Sequence, residues 1–173
     1  MANYVFVAKS LDGFIATKDG STKWLNIANT QKTDYGYTEF VEKIDAIIMG
    51  RLSYEKILTY IPYPYKKHVF VLSNTLKTIP INLSDRIDIV NGKLKDIVEN
   101  LRNKGYENLY IDGGTTIQSF LKEDLIDEMM ITTVPIILGG GIPLFGELNT
   151  TLNFKHKRTT TYDNGLVTSI YTK

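Results

Sequence analysis

The segment DAIIMGRLSYEKI, residues 45–57, brings a glycine, a guanidinium and a hydroxyl together at one point of the chain. Its apolar residues 46–49 predict a buried strand, and a helix is expected to follow. Gly50, Arg51 and Ser53 therefore stand where the strand gives way to the helix, whose first N–H groups lack partners within the helix and carry partial positive charge. Such a junction is either a capped turn or a site for an anion.

The segment NLYIDGGTTI, residues 108–117, has the same arrangement. Gly113 and Gly114 end a predicted strand, and Thr115 and Thr116 begin a predicted helix, so the backbone could approach a ligand closely and the hydroxyls could donate to it. Neither segment matches the dinucleotide pattern GxGxxG, and GxxxxGK[ST] does not occur in the chain. Each junction alone is more often a capped turn than a phosphate site, but two in one chain favour an anionic ligand.

Alternating strands and helices are expected to position these two junctions. Strands are predicted at residues 4–10, 46–49, 68–73, 87–90, 108–112 and 128–138, helices at 34–44, 53–58, 94–105 and 115–121, a polar loop with Trp24 at 18–32, and a hairpin at 156–172 with Asn164-Gly165 as its type I′ turn. Repeated βα units predict an α/β fold with three layers, α/β/α. Its central sheet is mostly parallel, and the C-terminal hairpin is antiparallel at one edge.

Composition limits the function classes. The 173 residues, 43% apolar and 23% charged, predict one folded domain spanning residues 1–173. Twenty basic against nineteen acidic residues argue against a nucleic-acid partner. The absence of cysteine excludes disulfides and thiolate chemistry, and with only His68 and His156 no metal site is expected. We also expect no signal peptide and no membrane partner, and a cytoplasmic location.

Five segments, in this order along the chain, resemble one known family: AKSLDGFIA, DAIIMGRLSYE, VFVLS, LYIDGGTTI and LIDEMMITTVPIILGGGIPLF. They are similar to the dihydrofolate reductase superfamily. Within it, they resemble stand-alone homologues of the C-terminal pyrimidine reductase domain of the bifunctional riboflavin-biosynthesis deaminase-reductase. The resemblance covers essentially the whole chain. It implies a dihydrofolate reductase-like fold, NADPH as the cofactor and a homodimer.

The resemblance also implies which residues hold NADPH. The first junction would bind the pyrophosphate through backbone N–H groups and Ser53, while Arg51 would pair with the 2′-phosphate. Ser73 and Asn74 would lie beside the adenosine half, although many relatives carry a basic residue at position 74. The full expected set is Ala8, Ile15, Gly50, Arg51, Ser53, Ser73, Asn74, Gly113, Gly114, Thr115 and Thr116, of which Ala8 and Ile15 would meet the nicotinamide.

The expected substrate site is formed by Asp12, Trp24 and Asp34. Hydride transfer needs an acceptor that is polarised by a proton or a hydrogen-bond donor. Asp34 stands where dihydrofolate reductases keep their substrate-anchoring acid and is the candidate catalytic residue, with a helix cap as the alternative. Asp12 could instead only close a turn, and Trp24 could only anchor its loop. Lys32 is the only cation near the place where pyrimidine reductases hold a ribose phosphate.

We therefore expect an NADPH-dependent reductase of a pteridine- or pyrimidine-like heterocycle. The reaction would be of the dihydrofolate reductase type or of the 5-amino-6-(5-phosphoribosylamino)uracil reductase type in riboflavin biosynthesis. A non-catalytic nucleotide-binding domain of the same fold is the first alternative, favoured if Asp34 is buried in a helix cap. A purely structural or interaction domain is the second.

Overall fold

Short apolar runs rich in β-branched residues form the central strands, and helices follow most of them. The computed structural model describes residues 1–30 and 33–173. The elements are β1 (Ala2–Ser10), β2 (Phe14–Ala16), a 3-10 helix (Lys23–Thr30), α1 (Tyr37–Lys43), β3 (Ala46–Gly50), α2 (Arg51–Ile57), β4 (His68–Leu72), a short 3-10 helix (Ile81–Leu83), β5 (Ile87–Val90), α3 (Leu94–Asn103), β6 (Asn108–Asp112), α4 (Gly114–Lys122), β7 (Glu128–Val134), β8 (Ile142–Pro143), β9 (Lys155–Thr161) and β10 (Val167–Thr172).

One large sheet organises the molecule in the strand order β5-β4-β3-β6-β1-β7-β10-β9. The six strands from β5 to β7 are parallel, whereas β10 is antiparallel to β7 and β9 is antiparallel to β10. Strands β2 and β8 form a separate two-stranded sheet. The predicted fold class, a mostly parallel sheet with an antiparallel C-terminal hairpin at its edge, is confirmed.

The central strands β3, β4 and β6 are buried on both faces because their side chains alternate between two apolar clusters. Ile48 of β3 packs in the cluster that contains α3 and α4 residues, while its neighbours Ile47 and Met49 pack in the cluster that contains α1 and α2 residues. Helices therefore cover opposite faces of the sheet, which gives the three predicted layers.

The strand order decides where a ligand can bind. β6 lies between β3 and β1, so the carboxyl ends of these three parallel strands, at Ser10, Gly50 and Asp112, open on the same edge of the sheet. In open α/β sheets this edge is where ligands bind. Both glycine junctions found in the sequence follow these strand ends.

Several predicted boundaries differ from those in the structure. α1 begins at Tyr37 rather than at position 34, α2 begins at Arg51 rather than at position 53, and β7 ends at Val134. The last difference has a direct cause, because Pro135 follows and a proline cannot donate to a strand partner. The segment predicted as a polar loop contains the 3-10 helix Lys23–Thr30.

The predicted type I′ turn at Asn164-Gly165 is wrong. A type I′ turn needs positive φ at both central residues, but here only Gly165 has it, with φ +83°. The loop is wider than two residues: the Gly165 N–H donates to the Tyr162 carbonyl at 2.9 Å, and the Tyr162 N–H donates to the Leu166 carbonyl at 3.0 Å. The glycine thus follows the turn instead of occupying its centre.

Glu128 at the start of β7 joins α1 to the C-terminal hairpin. Its carboxylate accepts hydrogen bonds from Lys43 of α1 and from Lys157 of β9, the latter at 3.3 Å. Burial by itself would raise the pKa of Glu128, but the two ammonium groups outweigh it and hold the pKa below its ordinary value. The carboxylate therefore stays ionised and ties together three elements that are distant in sequence.

Replacing Glu128 by Gln is expected to lower the free energy of unfolding by about 1 kcal/mol at neutral pH, because two lysines lose their counter-charge. Since the native pKa is depressed, this contribution is present above the unfolded pKa of about 4.3 and is lost as the pH falls through the native pKa. Urea unfolding of wild type, Glu128→Gln and the exposed control Glu123→Gln at neutral and acid pH measures it. A difference that persists in acid would contradict the electrostatic origin.

Within residues 1–30 and 33–173, no helix is long and apolar enough to cross a membrane.

Candidate active site

The two strand–glycine–helix junctions pack directly against each other. A Cβ placed on Gly113 would lie 2.3 Å from Ser53 Oγ, and a Cβ placed on Gly50 would lie 3.0 Å from Thr116 Oγ1. Each junction therefore sets its hydroxyl against the glycine of the other. Side chains at either glycine would push these groups apart, so residues 50–53 and 113–116 form one continuous surface, in which the Thr116 side chain is buried.

Ile15 lies across the second junction. A Cβ on Gly114 would be 2.4 Å from Ile15 Cδ1 and 3.7 Å from Ile142 Cγ2. These two isoleucines come from the small β2–β8 sheet, which therefore forms a wall beside the start of α4. Ala8, the other residue expected at the nicotinamide, lies half-buried in β1 beside Thr132 of β7. Their contacts with a cofactor stay predictions.

Arg51 reaches from α2 to the turn after β4. Its Nε donates to Glu55 Oε1 at 2.6 Å, and its Nη1 donates to Thr75 Oγ1 at 2.8 Å. The turn itself is held by Ser73, whose Oγ accepts the N–H groups of Thr75 at 3.2 Å and Leu76 at 2.9 Å. The structure thus brings Arg51 to the loop that contains the predicted adenosine-binding residues. In that loop, position 74 is exposed.

Asp112, which the sequence reasoning missed, lies at the end of β6 immediately before the glycine pair. Its Oδ1 accepts the Gly113 N–H at 2.8 Å, and its Oδ2 accepts the Tyr65 hydroxyl at 3.1 Å. The Tyr110 hydroxyl lies 3.3 Å from Oδ1 and 3.0 Å from the Phe6 carbonyl oxygen, and its single proton can serve only one of them at a time. Burial raises the pKa of Asp112 despite these donors.

Three tyrosines surround this carboxyl and stay protonated. Burial, followed by the negative charge of Asp112, raises the pKa of Tyr37, Tyr65 and Tyr110 above the ordinary value. The cluster therefore combines hydroxyl donors with an acid that binds its proton more tightly than an exposed aspartate does. The signal in the sequence was a carboxylate between a buried strand and two glycines.

Asp34 serves as a cap in front of α1. It is exposed, its Oδ1 accepts the Gly36 N–H at 3.0 Å, and its Oδ2 accepts the Thr38 N–H at 2.8 Å. The hydroxyl of Thr38, together with these backbone donors, lowers the pKa of Asp34. Both oxygens are thus engaged within the chain, and the residue is ionised at neutral pH. A catalytic role for Asp34 stays a prediction.

Replacing Asp34 by Ala is expected to lower the free energy of unfolding by about 1 kcal/mol, the usual cost of losing a capping side chain. If Asp34 is only a cap, nucleotide affinity and turnover of the folded variant will match wild type. Thermal unfolding and steady-state kinetics measure the two effects, with the exposed neighbour Glu39→Ala as the control. Loss of turnover in a variant that folds would restore Asp34 as a catalytic residue.

Asp12 fastens the loop after β7 to the end of β1. Its carboxylate accepts the Ser10 hydroxyl at 2.5 Å and the N–H groups of Leu138 and Gly139 at 3.1 and 2.8 Å. These donors, the Ser10 hydroxyl first, lower the pKa of Asp12. The side chain positions a loop at the carboxyl edge of the sheet, and its predicted contact with substrate is untested.

Trp24 lies half-buried in the 3-10 helix Lys23–Thr30. Its indole N–H is enclosed without a hydrogen-bond partner in the described part of the chain. Lys56 of α2 donates to the Gly20 carbonyl at 3.2 Å and to Thr22 Oγ1 at 3.1 Å, and so holds the segment before Trp24 against α2.

Thr115, another residue of the expected cofactor site, is exposed in the first turn of α4.

Two further sequence expectations concern cations and metals. Lys32 lies outside the described residues. Among residues 1–30 and 33–173, no group of three or more His, Cys, Asp or Glu side chains is arranged to hold a metal ion.

Residues 4–168 match the family model of the RibD C-terminal domain. The chain belongs to this family. A relative from Bacillus subtilis (strain 168), the protein YwjB, is 35% identical over 159 residues, which cover 90% of this chain and 88% of YwjB. A crystal structure from Shewanella sp. PV-4, named as a candidate riboflavin biosynthesis protein, is 48% identical with a TM-score of 0.94 and covers 99% of this chain and 98% of that one.

Two more distant structures share the fold. The Thermotoga maritima diaminohydroxyphosphoribosylaminopyrimidine deaminase/5-amino-6-(5-phosphoribosylamino)uracil reductase has a TM-score of 0.76 at 17% identity, covering 99% of this chain and 56% of that one. Dihydrofolate reductase from Enterococcus faecalis, complexed with NADP(H), has a TM-score of 0.65 at 14% identity, covering 99% of this chain and 95% of that one. These structures confirm the predicted dihydrofolate reductase-like fold. The family model confirms the predicted resemblance to homologues of the pyrimidine reductase domain, and membership of the RibD C-terminal family indicates a reductase of the pyrimidine reductase type.

Proposed function

We propose that this chain is an NADPH-dependent reductase of a pyrimidine- or pteridine-like heterocycle. The observation that carries the proposal is the single surface formed by the two glycine junctions, with the Asp112 carboxyl at its border. A nucleotide site beside an acid of raised pKa is what hydride transfer to a polar heterocycle requires. Family membership and the names of the related structures support the same reaction class.

The residues present fit the proposed cofactor. Gly50 and Gly113 have no side chains, and their backbone packs directly against the hydroxyls of Thr116 and Ser53, a close packing that any Cβ would disrupt. We call this meeting point of the two junctions the cradle. Such a cradle suits a pyrophosphate, which accepts hydrogen bonds from backbone N–H and hydroxyl groups. Arg51 would pair with the 2′-phosphate, since its guanidinium is partly exposed at the edge of the same surface.

The chemistry divides between the cofactor and Asp112. NADPH supplies a hydride when it is bound. Asp112 would bind the substrate on its Oδ2 side, where the Tyr65 hydroxyl is the one donor among residues 1–30 and 33–173. Because burial raises its pKa, this carboxyl binds a proton more readily than an exposed aspartate and could give it to the ring atom that becomes basic, while the Tyr65 hydroxyl and the Gly113 N–H fix its orientation. Substrates with a ring nitrogen or carbonyl next to the reducible bond suit this arrangement.

The experiment that tests the proposal is a titration with NADPH and then NADH, followed by Trp24 fluorescence and by thermal shift. Saturable binding, with NADPH the tighter ligand, is expected. Pteridine and aminopyrimidine substrates are then screened for loss of the dihydronicotinamide absorbance. Failure of both nucleotides to bind at millimolar concentration would refute the proposal.

A non-catalytic nucleotide-binding domain of the same fold is the second candidate. It is favoured by one observation, the engagement of both Asp34 oxygens in the cap of α1. It predicts nucleotide binding without turnover of any heterocycle. Turnover that depends on Asp112 would exclude it.

We also propose a homodimer, as the family resemblance implies. The edge strand β9 exposes all seven of its residues, and Lys155, Lys157 and Arg158 make it cationic. Direct pairing of two β9 strands at their edges would place like charges together, so we place the contact on a face of the exposed C-terminal hairpin instead. Light scattering after gel filtration measures the mass, and a monomer at micromolar concentration would refute this proposal.

A further inference from the structure

Arg51 is paired with an acid of its own helix. Its Nε donates to Glu55 Oε1 at 2.6 Å, and its Nη1 donates to Thr75 Oγ1 at 2.8 Å. The side chains of Arg51 and Glu55 are 47% and 43% exposed, so a ligand can reach the pair. The one cation expected to meet the 2′-phosphate is therefore neutralised before any ligand arrives.

We propose that Glu55 is a specificity-determining residue, which limits the preference of the site for a 2′-phosphorylated adenine dinucleotide over its unphosphorylated counterpart. The inference rests on the proposed function, in which Arg51 meets the 2′-phosphate. A phosphate dianion that approaches Arg51 also approaches the Glu55 carboxylate, and the repulsion offsets part of the attraction. An unphosphorylated ribose brings hydroxyl donors instead, whose hydrogen bonds the carboxylate accepts.

The turn residues 73–75, which lie beside the Arg51–Glu55 pair, do not restore the positive charge that Glu55 neutralises. Ser73, Asn74 and Thr75 are all neutral, and the Ser73 Oγ already accepts two backbone N–H groups. Residues 73–75 and the Arg51–Glu55 pair therefore contribute no net formal charge, and the next cation along the loop is Lys77. A site of this kind discriminates weakly between the two dinucleotides, because a full charge is what favours the phosphorylated one.

The variant Glu55→Gln tests the negative charge of residue 55 separately from its hydrogen bond to Arg51. The amide keeps an oxygen that can accept from Arg51 Nε, while the negative charge is removed. Calorimetric titration with adenosine 2′,5′-bisphosphate and with adenosine 5′-monophosphate measures the affinity ratio without involving the nicotinamide. We expect the ratio to rise roughly fivefold in Glu55→Gln and to converge on wild type at high salt. Glu99→Gln, exposed on α3, makes the same change in net charge and is expected to leave the ratio unchanged.

The outcomes separate this inference from the proposed function. A wild-type protein that binds both nucleotides, with an unchanged or smaller ratio in Glu55→Gln, would refute the role of Glu55 alone. Equal weakening of both nucleotides would show that Glu55 only positions Arg51, and would also refute the inference. If the wild-type protein binds neither nucleotide, the proposed function fails and the inference fails with it. Thermal unfolding of each variant confirms that it is folded.

Discussion

Replacing Gly113 by Ala is expected to abolish nucleotide binding and to lower the free energy of unfolding by about 3 kcal/mol or more. Gly113 has φ +90°, which L side chains rarely adopt, and its new Cβ would lie 2.3 Å from Ser53 Oγ. Backbone strain and steric overlap therefore add at the point where the two junctions meet. Urea unfolding and NADPH titration measure the two consequences.

Gly105 serves as a control that separates backbone strain from steric overlap. Gly105 has nearly the same φ, +93°, but a Cβ there meets nothing within 4 Å. Gly105→Ala is thus expected to cost about 1–2 kcal/mol, from strain alone, and to leave nucleotide binding intact. Adding Ser53→Ala to Gly113→Ala removes the overlapping oxygen and should recover part of the lost stability. If Gly113→Ala behaves like Gly105→Ala, the close packing of the junctions is not what shapes the site.

Replacing Asp112 by Asn is expected to reduce turnover by about 100-fold or more, because the variant has no carboxyl to hold a proton. It should also unfold at a higher temperature at neutral pH. Burial raises the native pKa of Asp112 above its unfolded value, so the ionised group costs stability above the native pKa. This cost disappears as the pH falls below the unfolded value of about 3.9, where the two proteins should converge.

Two variants make this expectation specific. Asp163→Asn changes an exposed carboxylate on the hairpin and should affect neither turnover nor stability. Tyr65→Phe removes a hydrogen bond that lowers the pKa of Asp112, so the pH at which activity declines should move upward. Unchanged turnover in Asp112→Asn would show that this carboxyl takes no part in the mechanism. An unshifted pH profile in Tyr65→Phe would show that the Tyr65 hydrogen bond does not set the pKa on which activity depends.

The fold was predictable because local signals agreed with the global arrangement. Apolar runs, most of them four to seven residues long, identified the six parallel strands of the large sheet, and β5 matched its prediction at both ends. The elements that escaped prediction depend on distant partners. β2 and β8 have only three and two residues and exist because they pair with each other. The hairpin loop widened although Asn164-Gly165 carried the usual sequence of a tight turn.

The candidate site was predictable only in part. The glycines and hydroxyl residues at the strand ends stood out, because this combination at a strand–helix junction has only two usual roles, a capped turn or an anion site. Asp112 was missed although it stands between a buried strand and two glycines. Its environment depends on Tyr65, which lies 47 residues away in the sequence, as well as on its near neighbour Tyr110. Asp34 illustrates the reverse case: its position fitted a family role, while its hydrogen bonds are those of a helix cap.

The place of β6 between β3 and β1 sets the order in which the protein can assemble. The two junctions, at residues 50–53 and 113–116, become neighbours only after β6 has inserted between strands that precede it in the chain. Contacts of such long sequence separation form late and slowly. The cradle therefore needs β6 and the start of α4, residues 108–116, in addition to the strands that precede them. A ligand of the cradle binds only states in which β6 lies between β3 and β1, so it raises the free energy of unfolding of the assembled sheet.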